Sequence, residues 1–562
     1  MPIKRIFGLL IVLVMNGHSI WAQTAPSAAE VDELKSTMAS QQKTLEQQQA
    51  RIEALEKALA EQKAMLTNSA PTSVGGSVSL VPAAYSPTTV SPSSSGQTPQ
   101  NPPTPPVQQP LTPEQEQVEE ELQRGPEIAD VTPDTPAVTL GPAQVRLIGY
   151  PALTGVFRST NSGGNVGTSF ASIPFDNTVA GNTSEFRLSP QSTRLAIRVD
   201  ADLKKSKAAG YFEMDFGGTV PGNIAVTSSS YGFRIRQAWF NYRFGKFDIT
   251  GGQLFSLMTP AKKSILPWPG DVSLTQVIDT NYVAGLIQGR YPQVRLVYHA
   301  SDAVSLGFSV ENPEQQVGSS SSSGVIFPAG LTSTLNNQYN TGSNELKVPN
   351  MMPDFVLKGS FDVKPGGRDV HLDVGTVFRA FRNNAPLSGT GFNDKHYAPG
   401  FGANANFSVD LVKNVRLVLQ GFYGSGAGRY IGGLVPDVIV RADGSIAPIT
   451  AYSWVSGFEI APNKSTGLYV YYSGLYGERR TAVDTDGSLI GWGFPGASNV
   501  ANRLVEEIST GYSKVLWKYE NLGSVQLGFQ YSYLRLYPWS PGSGPGQADA
   551  HMVFSQIRYN LP

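Results

Sequence analysis

The chain of 562 residues contains no cysteine and only 5 histidines. The first absence excludes a disulfide framework and a lipoprotein anchor. The second leaves little material for a catalytic triad or a metal site, since His18 lies in the apolar leader. No His-Glu-x-x-His run and no Gly-x-Ser-x-Gly elbow occurs, and Gly424-Ser425-Gly426-Ala427-Gly428 reads as a loop. Neither an enzyme nor a bound cofactor or metal is expected. Charge is scarce as well, at 15% of residues, and no run of 18 apolar residues offers a transmembrane helix. What the chain does hold is 58 Gly, 23 Tyr and 26 Phe, with aromatics at 10%. Such a composition suits strands that are apolar on one face and polar on the other.

The N-terminus has the layout of a secretory signal peptide over residues 1–22. Lys4 and Arg5 precede the apolar run Ile6 to Met15, and Ala22 closes a cleavage site after His18-Ser19-Ile20-Trp21. Residues 23–69 carry a heptad whose a positions are Val31, Met38, Leu45, Ile52, Leu59 and Leu66. Leu34, Gln41, Gln48, Leu55 and Gln62 fill d. Apolar residues at this spacing need partner helices, so the segment predicts an oligomeric α-helical coiled coil in the periplasm, dimeric or trimeric. Residues 70–143 are a Pro/Ser-rich linker, with 14 prolines between 70 and 140. One short acidic helix is expected inside it, from the Thr112, Pro113 and Gln115 cap to the Gly125-Pro126 stop.

From residue 144 to 562 the period changes to two. Leu195, Ile197 and Val199 alternate with Arg194, Arg198 and Asp200, and Val525, Leu527, Phe529 and Tyr531 alternate with Gln526 and Gln530. Sixteen strands are predicted, at about 145–157, 186–200, 209–217, 232–244, 247–256, 282–300, 303–311, 352–363, 370–381, 400–410, 414–423, 450–461, 466–475, 504–518, 522–536 and 550–561. Pro292 inside 282–300 marks the one place where a hairpin could add strands. The links alternate long and short throughout; Gly245-Lys246, Ser301-Asp302 and Glu520-Asn521-Leu522 are among the short ones. Tight turns at one end and long loops at the other are what an all-β, 16-stranded antiparallel transmembrane β-barrel of the outer membrane of a diderm bacterium requires. A terminal strand with Val553, Ile557, Tyr559 and Leu561 on one face fits a barrel-assembly signal, although it ends in Leu561-Pro562.

The barrel zone holds 35 basic and 29 acidic residues. Arg194, Arg198, Arg234, Arg236, Arg295, Arg379 and Arg416 fall on the polar phase of their strands and are the candidate pore-lining, anion-binding residues. The competing assignment is an Arg–carboxylate ladder that supports the wall, with Asp200, Glu213 and Asp215 as partners. Arg243 is set apart, because Phe240, Tyr242 and Phe244 indicate a phase change near Ala238.

A coiled coil, a Pro-rich spacer and a 16-strand barrel in succession resemble the DcaP-like trimeric outer-membrane porins. The segments Ser192-Thr193-Arg194-Leu195-Ala196-Ile197-Arg198, Arg234-Ile235-Arg236-Gln237-Ala238-Trp239, Gly252-Gln253-Leu254-Phe255-Ser256 and Tyr291-Pro292-Gln293-Val294-Arg295-Leu296-Val297-Tyr298 are similar to early-strand motifs there. The resemblance implies a homotrimer in outer-membrane lipid that takes up small anionic organic solutes such as dicarboxylates. In porins the third long loop commonly narrows the channel. Here that loop is 257–281, and Lys262 and Lys263 would bring positive charge to the constriction; an ordinary external loop is the alternative. The expected function is passive diffusion of small polar solutes with a preference for anions. The alternative is a structural barrel that tethers the outer membrane to the cell wall through its coiled coil. No contact with nucleic acid is expected.

Overall fold

In a computed structural model the chain divides into two units, 1–106 and 107–562. The structure describes residues 135–562 except 163, 204–205, 219–230, 269–273, 275–276, 319–323, 342–347, 387–392, 497–500, 520 and 542–543. The signal peptide, coiled coil and acidic linker helix expected from the sequence lie outside the described residues. The described residues include a strand ahead of residue 144, the short Val138–Leu140, paired antiparallel to Ala143–Tyr150.

One 19-stranded sheet holds nearly all the strands. Its ladders are antiparallel and join neighbours in chain order. The last strand, Ala548–Asn560, pairs back onto the early strand Ala152–Arg158, from Met552 opposite Arg158 to Arg558 opposite Ala152. Two of the predicted strands are each split in two. The first divides at Pro151, which has no N–H to give a ladder. Ala143–Tyr150 then pairs with Arg194–Leu203, whereas Ala152–Arg158 pairs with Glu185–Ser189. The second divides at a turn closed by Thr193 N–H to Pro190 carbonyl, 2.9 Å. Thr193 repairs both gaps, since its hydroxyl accepts the Ala152 N–H at 3.0 Å and donates to the Ala152 carbonyl at 3.3 Å.

The stretch 282–300 differs from expectation. Its strand is Arg290–Ser301, and residues 282–289 belong to the preceding loop. Tyr282 (φ 65°) and Gly285 (φ 84°) are left-handed there, which breaks extended pairing. Pro292 makes no hairpin; it lies within the strand opposite Gln253, and its carbonyl accepts the Asn312 N–H at 2.8 Å. The long loops also contain two small hairpins, Val438–Val440 with Ile446–Pro448 and Arg480–Val483 with Leu489–Trp492.

Alternation gives each long strand one buried and one exposed face. In Val370–Pro386, His371, Asp373, Val377, Arg379, Phe381 and Asn383 are buried while Leu372, Val374 and Phe378 are exposed. The exposed face is thus the apolar one, the reverse of a water-soluble sheet. The buried face is not uniformly polar. Toward the long loops it carries Val156, Phe422, Leu534 and Phe554, which pack with Phe327, Leu335, Tyr339, Val435, Ile439 and Trp492 from the loops in one hydrophobic core.

A register shift between Glu213 and Met214, opposite Gln237 and Ile235, lets Arg236 and Gln237 both be buried. That is the phase change expected near Ala238. It sets Arg243 on the buried face of its strand, bonded to Asp248 at 2.6 Å. The next strand answers with Gly252 at φ 135°, where a Cβ would stand 2.2 Å from the Ala238 carbonyl oxygen. Gly252→Ala is therefore expected to cost about 1–3 kcal/mol through backbone strain. Gly359→Ala, whose Cβ would meet nothing closer than the Leu306 side chain at 3.7 Å, is expected to be silent. Denaturant midpoints of the two variants check this, and equal midpoints would refute it.

Candidate functional site

Most of the arginines singled out in the sequence lie on the buried face beside carboxylates. Arg234 holds Asp215 through two bonds of 3.0 and 2.7 Å. Arg236, itself buried, bonds Glu213 and, at 2.9 Å, Asp215. Cross-strand register dictates these pairs: Arg194 and Arg234 flank Asp215 on either side. Arg198 pairs with Asp200 at 2.8 Å and lies 3.6 Å from the Trp268 ring centroid. Arg146, on the adjoining strand, shares Asp200 at 3.0 Å. Arg416 bonds Glu459 at 3.2 Å and the Ser408 hydroxyl at 2.9 Å. Arg379 is enclosed at the loop end by Asp354 at 3.0 Å, Asp437 at 2.8 Å and the Gly426 carbonyl at 2.7 Å. Arg295 donates to the Phe255 carbonyl at 2.7 Å and to Gln293. Arg194 is buried beside Tyr150 and lines a small cavity with Ser192, Asp279 and Gln556.

The wall is therefore built as an ion-paired ladder, and Asp200, Glu213 and Asp215 serve as the partners named from the sequence. Within such a ladder a guanidinium positions its neighbours as much as it offers charge. Arg379 and Asp437 tie a wall strand to a loop and have no open side.

The third long loop does not stand away from the strands. Its ends are joined by Ser256 N–H to the Gly289 carbonyl at 2.8 Å, and described residues between them lie against the buried face. Wall side chains receive its main-chain N–H groups: Glu311 takes Leu257 at 2.8 Å, Asp373 takes Ala261 at 3.0 Å and Asp362 takes Ser264 at 3.0 Å. Farther on, Gln530 takes Ile278 at 2.7 Å and Glu507 takes Ala284 at 2.9 Å. Its carbonyls are met as well, Met258 by Asn404 at 2.9 Å, Thr259 by Lys358 at 2.8 Å and Gly285 by Ser453 at 2.7 Å. A buried peptide stretch with no partner strand needs this substitution of side chains for a ladder.

Lys262 is half-buried and Lys263 exposed, both between the anchored Ala261 and Ser264. Trp268 continues the segment into an aromatic group with Trp239 and Tyr211, at 4.9 and 6.3 Å between ring centroids. Burial pushes the Asp279 carboxyl above the usual carboxylate range, against the hydrogen bonds from Thr168 and Asn281.

The residues that hold this loop were not picked out from the sequence. Lys358 and Asp373 stand on the polar phase of their strands and were within reach of the same alternation argument. Asp437, which holds Arg379 and not this segment, lies in another loop, where alternation has no meaning. Arg290 shares the sequence phase of the exposed Val294 and Leu296, so alternation does not mark it.

Strands with an apolar exposed face, a polar buried face and a peptide segment folded onto that face define a porin-like architecture. Among solved structures the chain is similar to the outer membrane channel DcaP of Acinetobacter baumannii, with a TM-score of 0.54 and 16% identity over 75% of this chain and 99% of that one. Its fold is that of this channel. Salmonella typhi OmpF, in complex with daunomycin, aligns at a TM-score of 0.40 and 9% identity, over 76% of this chain and 100% of that one. Pseudomonas putida OprB aligns at 0.39 and 10%, over 74% and 94%. No protein-family model and no curated protein sequence matches the chain.

Asp373 shows how much the loop anchoring should matter. It is fully buried, bonds Lys358 at 3.1 Å, accepts the Ala261 and Asn406 N–H groups and faces His371. Asp373→Ala is expected to cost about 3–5 kcal/mol, because it leaves the buried Lys358 ammonium uncompensated. Asp200→Ala, at a site 30% exposed, is expected to cost about 1 kcal/mol or less. Urea midpoints measure the difference, and limited proteolysis should cut the 256–289 segment of Asp373→Ala faster than that of the parent.

Proposed function

We propose that the chain is an exported porin whose ladders close as a 16-stranded transmembrane β-barrel in the outer membrane, giving passive passage to small polar solutes. The observation that carries this reading is the inversion of faces. Leu147, Ile197, Phe240, Leu306, Phe378 and Ile557, on strands from the first to the last, are exposed, while ionic and amide side chains are buried behind them. A water-soluble surface does not carry apolar side chains on strand after strand, whereas lipid suits them. Joining the halves separated at Pro151 and at Pro190, and setting aside Val138–Leu140, the sheet has 16 strands, each with two neighbours. An even number returns both ends of the barrel to the same side, where residues 23–69 as a coiled coil and 70–143 as a spacer would extend into the periplasm.

The folded-in segment 256–289 is the constriction in this reading. Anions of the carboxylate class are the preferred solutes, supported by the basic excess of the barrel zone and by the arginines along the polar face. A homotrimer follows from the same reading. The apolar a series from Val31 to Leu66 supports it by needing partner helices, which copies of the chain would supply.

Reversal potentials in planar bilayers under a potassium chloride gradient test the proposal. Stepwise conductance with a reversal potential displaced toward chloride is expected. No conductance would sink the pore, and displacement toward potassium would sink the anion preference alone. Lipid contact has its own check. Leu306→Arg on the exposed face should lower stability in bilayers by about 2–4 kcal/mol if Leu306 sits near the membrane midplane, whereas Leu306→Phe should not. Equal stabilities would count against a lipid-facing exposed side.

A further inference from the structure

Arg290 begins the strand that leaves the folded-in segment, one residue beyond Gly289, and pairs in register with Phe255. Its guanidinium lies 5.5 Å from the Phe255 ring centroid and is half-buried. Among the described residues it makes no hydrogen bond or ion pair, unlike the arginines around it. Within its electrostatic reach are Glu213, Arg194, Arg234 and Arg236.

The carboxylates of this group are already engaged. Glu213 accepts from Arg236, from the Tyr211 hydroxyl at 2.8 Å and from Gln237 at 3.4 Å. Asp215 accepts from Arg234, from Arg236 and from the Gly217 N–H at 2.9 Å. Three guanidinium groups, those of Arg234, Arg236 and Arg290, thus face two carboxylates whose oxygens are occupied. Among the described residues no carboxylate is left for Arg290, which is the member of the three with its donors open. A planar fork of donors beside an aromatic ring, in a confined polar space, fits a small oxyanion held bidentately.

We propose that Arg290, at the root of the folded-in segment, is a specificity-determining anion-binding residue that receives carboxylate-, phosphate- or sulfate-type groups. This rests on the reading of the polar face as a pore lining. Glu213 and Asp215 hold Arg234 and Arg236 in place and limit the excess charge, so the site binds an anion weakly enough to release it. Passage requires that balance.

The test compares wild type, Arg290→Gln and Glu213→Gln by reversal potential under a potassium chloride gradient, and by the reduction of chloride current on adding sulfate. Lys246→Gln, which changes an exposed ammonium in the tight turn Gly245-Lys246 at the far end of the strands, is the control. Heat-shifted gel migration confirms that each barrel has folded. Arg290→Gln should lower the chloride-to-potassium permeability ratio about twofold or more, because its charge acts within a Debye length of about 8 Å, and it should abolish the sulfate effect. Glu213→Gln should shift the ratio the opposite way, and Lys246→Gln should leave it unchanged. A wild-type pore without anion preference overturns the underlying reading and the site with it. An anion-preferring wild type whose ratio is unaffected by Arg290→Gln overturns the site alone. If Glu213→Gln does not fold, the Arg290→Gln ratio and its sulfate response decide.

Discussion

The arrangement depends on side chains of the strands taking over the hydrogen bonds that a buried peptide segment cannot make with water. The described residues of 256–289 lie against a polar face outside the named strands, and N–H groups among them find Glu311, Asp373, Asp362, Gln530 and Glu507. Each acceptor comes from a different strand, so the segment binds those strands to one another while they hold it. Carboxylates are well suited to this work, because each offers two oxygens and accepts charge-assisted bonds. The cations nearby balance their charge, as Lys358 does for Asp373.

The same economy governs the arginines. On a buried face a lone guanidinium is costly, and a lone carboxylate is as well. Cross-strand register supplies the remedy, since residues directly opposite stand close enough to pair. Arg234 with Asp215 and Arg416 with Glu459 are such pairs, each joining adjacent strands. A polar face built in this way carries many charges and little net field. Selectivity then depends on where pairing is incomplete, and the surplus around Glu213 and Asp215 is one such place. At the loop end the physics changes. There the buried face turns apolar and packs against loop residues, with Arg379 and Asp437 as the ionic clasp within that contact.

Much of the strand plan was legible in the sequence because a two-residue period is a local property. The predicted strand 370–381 is observed as Val370–Pro386, with Arg379 on the buried face and Phe378 on the exposed one as their phase requires, and 466–475 is observed as Thr466–Gly477. The misreadings fall where the local pattern is broken by something nonlocal. Apolar residues at 282–289 looked like strand, yet they are apolar because they pack against the wall as a loop, with Tyr282 and Val283 in a cluster with Val418, Val455 and Tyr469. Pro151 gave no sign in the alternation that it would let the two halves of one strand pair with different partners.

From the sequence alone came the two-faced strands, the long and short links between them and the polar phase on which the arginines lie. All of these follow from spacing between near neighbours in the chain. Only the tertiary structure decided which charges cancel, because Arg236 finds Glu213 across a ladder whose register is shifted by a bulge. It also decided that the third loop folds onto the wall, which depends on acceptors as distant in sequence as Asp373 and Glu507. Alternation tells which way a side chain points but not what it meets, and the chemistry of this face depends on what each side chain meets.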